Sequence, residues 1–348
     1  MKNLITYVPG VLVGNAHDAR AATGVTVAVF DQSVTASVAT LGGAPGSRAV
    51  TLLEPEMTRA VIDAVVLSGG SLYGLDAAGG VSAVLCAQGR GATFGGITLP
   101  VAVQAILFDL MNGGEKDWLT QPVESRPPYW DLGRDAALAA AEEFALGTVG
   151  AGYGGTTATL KGGLGSASQR TKQGFVVGAL AAVNAVGSAT IGDGPHFWAA
   201  PYEHGREFGG HGWPAKMAET DLAIRFKGQP VGATATTIAM VATDARLTKA
   251  ECKRFAVMAN DGLARALRPI HAPNDGDTVF AVSTARADDR LGPAGEPPAL
   301  TEIGAAANDD HIEHRPDHAF AATATYFLFP KRCRKSGKAF SNGRAVAS

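Results

Sequence analysis

Short runs rich in Val, Ala and Thr recur along the chain, each bounded by Gly, Asp or Pro, and they limit what it can fold into. Runs of this kind are typical of β-strands. We predict strands at residues 24–30, 34–40, 175–183, 223–226, 238–243, 279–283 and 323–329. The links between consecutive strands are mostly short, which favours antiparallel pairing.

Helical segments lie between the groups of strands. We predict helices at residues 57–67, 134–146 and 248–267. In the last of these, Thr248 and Glu251 form a capping-box pattern and Pro269 ends the helix. Strands in groups with helices between them predict an α+β sandwich rather than a doubly wound sheet.

Composition excludes several classes of protein. Of 348 residues, 46% are hydrophobic, so a substantial core can be buried. The 44 Gly and 18 Pro together stay below the fraction of roughly a quarter at which such chains become suspect as disordered. The net charge of −2 offers no chain-wide basic field, so we expect no nucleic-acid partner.

The cysteines and the two ends of the chain bear on its location. Cys86, Cys252 and Cys333 are scattered without CxxC spacing, which argues for a reducing compartment and against a disulfide framework or a zinc site. The first ten residues lack the apolar core of a signal peptide, and no stretch is apolar enough for a transmembrane helix. We therefore expect a cytoplasmic protein with one domain, residues 1–330, and a basic flexible tail, residues 331–348.

Five glycine clusters stand out, at residues 41–46, 68–76, 79–80, 150–155 and 161–165. None matches the phosphate-binding pattern GxxxxGK[ST]. The cluster GAGYGG follows a predicted helix, so it also lacks the strand–turn–helix context of a dinucleotide site. Two interpretations stay open: close packing of backbones, or backbone N–H groups that face a bound carbonyl.

Histidines suggest a metal site only weakly. His311, His314 and His318 have helical spacing, but Pro316 interrupts the segment. A solvated loop is the better interpretation, and the same holds for the glycine-rich segment that carries His204 and His211. The sequence also gives no indication of a catalytic serine triad, because no GxSxG motif is present.

The most informative segment is KGQPVGATATTIAMVATD, residues 227–244. In isolation, Thr236 at the start of the strand-like run is most simply a β-former. It gains chemical meaning if the bond before it is cut, because a Thr with a free α-amine carries its own general base beside its hydroxyl. The small residues 232–235 would let that hydroxyl reach the preceding carbonyl.

Several sequence blocks carry a resemblance to a known family. They are VPGVLVG at 8–14, TGVTV at 23–27, GGAPG at 42–46, VLSGGS at 66–71, YGLDAAGGV at 73–81 and NDGDTVFAV at 274–282. Together they resemble the L-aminopeptidase D-amidase/esterases, which include the β-peptidyl aminopeptidases and the 6-aminohexanoate-oligomer endohydrolase. The resemblance covers roughly residues 5–330. It implies a four-layer αββα sandwich like that of N-terminal-nucleophile hydrolases, with this family's own connectivity.

The resemblance also implies self-processing. Autocatalytic cleavage would fall between Ala235 and Thr236 and give an α chain, residues 1–235, and a β chain, residues 236–348. Family members commonly have Asn or Gly before the cut, so Ala235 is a departure from the pattern. Asp275 and Asp277 match the family's pair of acidic or hydroxyl residues, which would orient the new α-ammonium group.

Four further site residues follow from the same resemblance. Lys161 matches a lysine that lines the site, where a cation could stabilise a developing oxyanion. Asn184 matches the side-chain amide of the oxyanion hole. Phe108 stands where the nylon-oligomer hydrolase has a tyrosine, so a donor hydroxyl is missing, and Tyr73 is a further candidate for the substrate pocket.

The implied reaction is hydrolysis of an amide in a short peptide or aminoacyl amide, through an acyl-enzyme on Thr236. The resemblance implies no cofactor and no metal, a small peptide or amide as substrate, no membrane partner, and a homo-oligomer of αβ units. One alternative is an acyltransferase like the ornithine acetyltransferases, which Lys227-Gly228 and residues 235–245 resemble in part. The other is an uncleaved, inactive homologue, for which Ala235 and Phe108 are the arguments.

Overall fold

A computed structural model describes residues 3–203, 205–228, 235–287 and 299–308. Its strands are β1 Val11–Asp18, β2 Thr23–Thr40, β3 Ser47–Arg48, β4 Val61–Ser68, β5 Ala92–Phe94, β6 Ile97–Leu99, β7 Ala102–Ile106, β8 Leu164–Arg170, β9 Val176–Asn184, β10 Thr236–Thr243 and β11 Thr278–Ser283. Its α-helices are α1 Ala77–Ala87, α2 Tyr129–Leu138, α3 Lys249–Ala266 and α4 Ala299–Asn308. Short 3₁₀ helices lie at Ile5–Tyr7, Val50–Leu53, Ser71–Asp76, Asp117–Leu119, Gly150–Gly152, Ala200–Tyr202 and Glu219–Asp221.

The long strand β2 organises a mixed sheet of nine strands. The order is β3-β7-β4-β2-β11-β10-β9-β8, with β1 paired to β2 beside this path. Residues 23–30 of β2 pair with β1 and residues 35–40 pair with β11, while β4 pairs with residues 25–29 and 34–35. A register shift between Val29 and Val34 lies between the two halves, so one strand belongs to both layers of the sheet. Most neighbours are antiparallel, as the short links predict, but β10/β11 and β4/β7 are parallel.

Three buried clusters separate four layers. Alternate residues of a strand face opposite sides of a sheet. In β9, Ala181 and Val183 belong to the cluster that contains α3 and α4, whereas Leu180 and Ala182 belong to the cluster between the two sheet layers. A third cluster joins the outer face of β1, β2, β4 and β7 to α1 and α2. The predicted α+β fold and its αββα layering are therefore confirmed.

The helix predicted at residues 248–267 is confirmed as α3. Thr248 and Glu251 form the reciprocal capping box, and Phe255, Ala259 and Leu263 on one face are fully buried. The capping signals and the amphipathic pattern agree here, which is why the sequence was sufficient to predict this helix.

Three predicted elements were wrong or misplaced. Residues 57–67 form no helix, because this apolar run is β4 and is buried on both faces between layers. Helix α2 begins and ends earlier than predicted, since Ala141 instead pairs with Val13 of β1 through two backbone hydrogen bonds of 3.0 and 3.1 Å. Residues 223–226 form no strand, and Ile224 is exposed there. The predicted strand at 323–329, the three histidines at 311–318 and the tail at 331–348 lie outside the described residues.

Neither a membrane span nor a metal cluster emerges in the part of the chain that the structure describes. No helix there is both long and apolar enough to cross a bilayer. No group of three His, Cys, Asp or Glu side chains comes together there as it would around a metal ion.

Candidate active site

Thr236 begins β10 and faces the interior of the sandwich. It shares a strand face with Ile238 and Met240, which pack in the core between the two sheet layers. Thr236 is only 3% exposed. Its hydroxyl donates a hydrogen bond to the carbonyl oxygen of Ala235. The nucleophile predicted from the sequence thus lies beside the carbonyl group of the bond that would be cut.

Asn184, the last residue of β9, lies directly opposite Thr236. The two are partners in the antiparallel register, and side chains in such a pair lie about 5 Å apart at Cβ. Asn184 is fully buried. Its Nδ2 donates to the backbone carbonyl of Phe108 at 2.8 Å, which leaves a second N–H of the same amide group for another acceptor. The pairing of β9 with β10 therefore places an amide donor beside the Thr236 hydroxyl.

The carboxamide oxygen of Asn184 is surrounded by donors. It accepts from Asn112 Nδ2 at 2.8 Å, from the Thr156 backbone N–H at 3.1 Å and from Lys227 Nζ at 2.6 Å. A rotated amide would place its own N–H₂ against three donors, so the orientation seen here is the only one that satisfies the group. The second N–H is consequently held in a fixed direction.

Asp277 is fully buried, and both of its carboxyl oxygens accept hydrogen bonds. Its Oδ1 accepts from the backbone N–H of Thr237 at 2.7 Å. Its Oδ2 accepts from the backbone N–H of His271 at 3.0 Å and lies 2.8 Å from Nδ1 of the same residue. These contacts fix the start of β10 against the segment that precedes β11.

Asp275 contrasts with Asp277. It is buried, it pairs with Ala235 in an isolated parallel bridge, and neither of its carboxyl oxygens has a hydrogen-bond partner among the described residues. Burial and the neighbouring charge of Asp277 raise the pKa of Asp275 well above the ordinary value of a carboxyl group. Asp275 can therefore hold a proton near neutral pH, beside the bond between Ala235 and Thr236.

Lys161 holds the glycine loops together. Its ammonium group donates to the carbonyl oxygens of Gly155 at 2.7 Å, Gly162 at 3.0 Å and Gly152 at 3.3 Å. The backbones of Gly155 and Gly162 both pack against the carbonyl of Val183, which precedes Asn184. The predicted site lysine is thus connected to the site through the loops that surround Asn184.

Glycines let backbone segments approach Thr236 closely. A Cβ at Gly276 would lie 2.7 Å from the Thr236 hydroxyl oxygen, and one at Gly42 would lie 2.3 Å from the Asp277 nitrogen and 2.5 Å from the Asp275 carbonyl. The segment around Gly42 is also bonded to this region, since Ala44 N–H donates to the Asp275 carbonyl at 2.7 Å. Close backbone packing, one of the two interpretations of the glycine clusters, is therefore found around Thr236.

Gly42→Ala is expected to destabilise the fold by about 1–3 kcal/mol, the usual cost of overpacking. The new methyl group would press on backbone atoms of the segment 275–277, which cannot rotate away. Urea unfolding measures the effect. Gly194→Ala is the matched control, because its Cβ would come no closer than 3.3 Å to a side-chain atom. Equal unfolding midpoints for the two variants would contradict the packing argument.

Phe108 and Tyr73 are placed differently from the other candidates. Phe108 reaches the site through its carbonyl oxygen, and its ring is half-buried. Tyr73 lies in the 3₁₀ helix Ser71–Asp76 and is 42% exposed. In the described part of the chain, no hydrogen bond joins the Tyr73 hydroxyl to another candidate residue. The pocket role of both residues stays a prediction.

Three polar residues at the site were not predicted from the sequence as site residues. They are Asn112, Lys227 and His271, which contact Asn184 or Asp277. Asn112 and Lys227 are 72 and 43 residues away from Asn184 along the chain, so no local spacing could reveal them. In the sequence, Lys227-Gly228 indicates no more than a partial resemblance to an acyltransferase pattern.

Comparisons with known proteins agree with this architecture. The profile of peptidase family S58 matches residues 3–326. An uncharacterized aminopeptidase of Mycobacterium tuberculosis is 39% identical over 327 residues, which cover 88% of this chain and 90% of that protein. A 6-aminohexanoate-oligomer endohydrolase of Paenarthrobacter ureafaciens is 28% identical over 294 residues, 80% of this chain and 74% of that protein.

Two solved structures share the fold. A β-aminopeptidase of Burkholderia sp. superposes with a TM-score of 0.57 at 22% identity, covering 94% of this chain and 92% of its own. The L-aminopeptidase D-Ala-esterase/amidase of Ochrobactrum anthropi, described as a variant of the Ntn hydrolase fold, superposes with a TM-score of 0.55 at 19% identity and the same coverage. With a family profile that spans nearly the whole chain, this protein belongs to peptidase family S58, whose members hydrolyse peptide or amide bonds.

Proposed function

We propose that this chain is a self-processing N-terminal threonine hydrolase, which cleaves its own Ala235–Thr236 bond and then hydrolyses amide bonds of short peptides or aminoacyl amides. The observation that carries the proposal is the hydrogen bond from the buried Thr236 hydroxyl to the Ala235 carbonyl. Asn184 and Asp275 lie on either side of that bond, through the register of β9 and through the bridge at Ala235.

In the self-cleavage step, Thr236 Oγ1 attacks the carbonyl carbon of Ala235. The new C–O bond replaces the C–N bond, so an ester forms and the nitrogen of Thr236 becomes an amine. A proton must reach that departing nitrogen, and the Thr236 hydroxyl must lose one as it attacks. A protonated Asp275 paired with Ala235 is suited to do both, giving its own proton to the nitrogen and taking up the hydroxyl proton in its place. Water then hydrolyses the ester and leaves a carboxylate on Ala235 and a free hydroxyl on Thr236.

The freed α-amine would act as the base in turnover. It takes the proton from Thr236 Oγ1 as that oxygen attacks the substrate carbonyl, and the second N–H of Asn184 donates to the oxyanion. The amine so protonated passes its proton to the leaving amine of the substrate. Water then hydrolyses the acyl-enzyme and returns Thr236 to its starting state.

The buried carboxyl of Asp275 favours this assignment. A buried polar group without a partner costs about 1–3 kcal/mol, and both oxygens of Asp275 lack one in the uncut chain. An α-ammonium group created at Thr236 would supply donors at this place. Asp277, whose oxygens are already occupied, would instead hold the strand that carries the nucleophile.

Substrate choice follows from the relatives. Their printed names describe aminopeptidases and a hydrolase of 6-aminohexanoate oligomers, which act on amides. We therefore infer that substrates here are small amides with a free amine. The acyltransferase alternative has no observation of its own in the structure, and the family assignment weighs against it.

The test is release of p-nitroaniline from α- and β-aminoacyl p-nitroanilides by the purified protein. The proposal predicts hydrolysis without any added amine acceptor. Transfer of an acetyl group from a donor to an amine acceptor, without hydrolysis of the anilides, would favour the acyltransferase instead. Neither activity, in protein shown to be folded, would identify an inactive homologue.

A further inference from the structure

Lys227 is a second cation at the site. It lies eight residues before Ala235, and its backbone N–H donates to the Val186 carbonyl at 2.8 Å, which fixes this segment beside the end of β9. Its side chain is half-buried, and Nζ donates to Asn184 Oδ1 at 2.6 Å. This is the shortest of the three hydrogen bonds to that oxygen, and its donor is the only charged one.

The charge strengthens that contact. A hydrogen bond from an ammonium group is roughly twice as strong as one between neutral groups. It also polarises the carboxamide, because a cation at the oxygen draws electron density away from the nitrogen and makes its N–H groups better donors. The group that benefits is the second N–H of Asn184, beside Thr236.

We propose that Lys227 is a positioning residue for the hydrolytic reaction: its ammonium group fixes and polarises the Asn184 carboxamide, and its deprotonation sets the alkaline limit of activity. The inference rests on the function proposed above and deepens it. Lys161, by contrast, holds three backbone carbonyls of the glycine loops, so the two lysines have different partners.

Three charged groups face Lys227 from the surrounding elements. When ionised, Asp109, which follows β7, and Asp275, which precedes β11, favour its protonated form, while Lys161, which precedes β8, opposes it. Burial outweighs the effect of these two carboxyl groups and lowers the pKa of Lys227 to about 8. The ammonium form therefore predominates below about pH 8 and is lost above it.

Two titrations would shape the pH profile. Activity rises as the α-amine of Thr236 loses its proton, with an ordinary pKa near 7.7–8.0 for such a group. It falls as Lys227 loses its proton, since the neutral amine makes a weaker bond to Asn184. The expected plot of activity against pH is bell-shaped, and its alkaline limb reflects the deprotonation of Lys227.

The experiment compares Lys227→Met and Lys227→Arg with wild-type protein already shown to be cleaved and active, from about pH 6 to about pH 10. Met keeps the length of the side chain without its charge, and we expect kcat to fall roughly 10- to 100-fold, with KM little changed and the alkaline limb gone. Arg stays protonated at all these pH values, so it should retain most of the activity and move the alkaline limb to higher pH. Lys253→Met, which breaks a half-buried pair with Glu54 outside the site, is the matched control.

Two results would overturn the inference. One is Lys227→Met with wild-type kcat and an unchanged alkaline limb. The other is an equal loss in Met and Arg variants with the wild-type pH profile, which would mean a merely structural role. If Lys227→Met does not fold, the Arg variant decides alone, since an unmoved alkaline limb refutes the claim. Self-cleavage and hydrolysis are measured first on the wild-type protein. A failure of the proposed function would therefore be seen there, separately from a failure of the role proposed for Lys227.

Discussion

Thr236→Ala is expected to remain one uncut chain and to lose amide hydrolysis, with kcat lower by roughly 10⁴-fold or more. The physical reason is twofold. Ala has no oxygen to attack the Ala235 carbonyl, which the Thr236 hydroxyl contacts in the structure. Without that attack, residue 236 also never acquires the free α-amine that would serve as base. A denaturing gel and an anilide assay measure the two losses.

Two control variants sharpen this result. Thr236→Ser keeps a hydroxyl and should still be cut. Thr237→Val removes the neighbouring hydroxyl, which lies on the opposite face of β10 and has no hydrogen-bond partner among the described residues. It should be cut as well. Two results would show that Thr236 is not the nucleophile. One is cleavage of the Thr236→Ala chain, and the other is a Thr237→Val chain that stays uncut while Thr236→Ala is cut.

Asn184→Ala has the second-largest expected effect. Loss of one oxyanion donor costs about two to three orders of magnitude in kcat, and self-cleavage should slow as well. The substitution also leaves Lys227, Asn112 and Thr156 without their shared acceptor. We therefore expect a stability loss of about 1–3 kcal/mol in addition. Steady-state kinetics and urea unfolding measure the two effects separately.

The control for Asn184→Ala is another buried asparagine. Asn260 in α3 is 2% exposed and donates to the Ala256 carbonyl within its own helix. Asn260→Ala should change the unfolding midpoint but leave kcat unaltered. If Asn184→Ala retained wild-type kcat, the oxyanion role would be wrong, whatever its effect on stability.

Local sequence signals predicted those parts of the fold that depend on local interactions. Helix α3 was predicted within two residues because its capping box, amphipathic face and terminating Pro269 all act over a few residues. Strand β4 was predicted as a helix because its apolar residues are buried on both faces. Such a strand shows no alternation, so periodicity alone cannot distinguish it from a buried helix.

The candidate site likewise contains residues that could be predicted from the sequence and one that only the folded structure reveals. Asn184, Asp275 and Asp277 were predicted from the resemblance to a family, and Thr236 from its own segment together with that resemblance. The pairing of β9, β10 and β11 brings them together. Lys227 was missed as a site residue because its contact with Asn184 spans 43 residues. Only the folded sheet shows that contact, since no spacing rule relates a loop lysine to the end of a distant strand.

The layered sandwich explains why Thr236, the proposed nucleophile, is buried and yet lies against the preceding residue of its own chain. Thr236 begins its strand at the end of the core between the sheet layers, and Gly276 leaves room beside its hydroxyl. Residue 235 is held by its bridge to Asp275. Under the proposed function, the Ala235–Thr236 bond of the chain itself would be the first substrate of this site.

An intact mass measurement on purified full-length protein after denaturation tests self-cleavage most directly. Self-cleavage before Thr236 predicts two species, residues 1–235 and residues 236–348, whose masses add up to the full chain plus one water, with Thr236 as the new N-terminal residue. A single species at the full mass, in a preparation that hydrolyses aminoacyl anilides, would contradict it. Cleavage at any other bond would do the same.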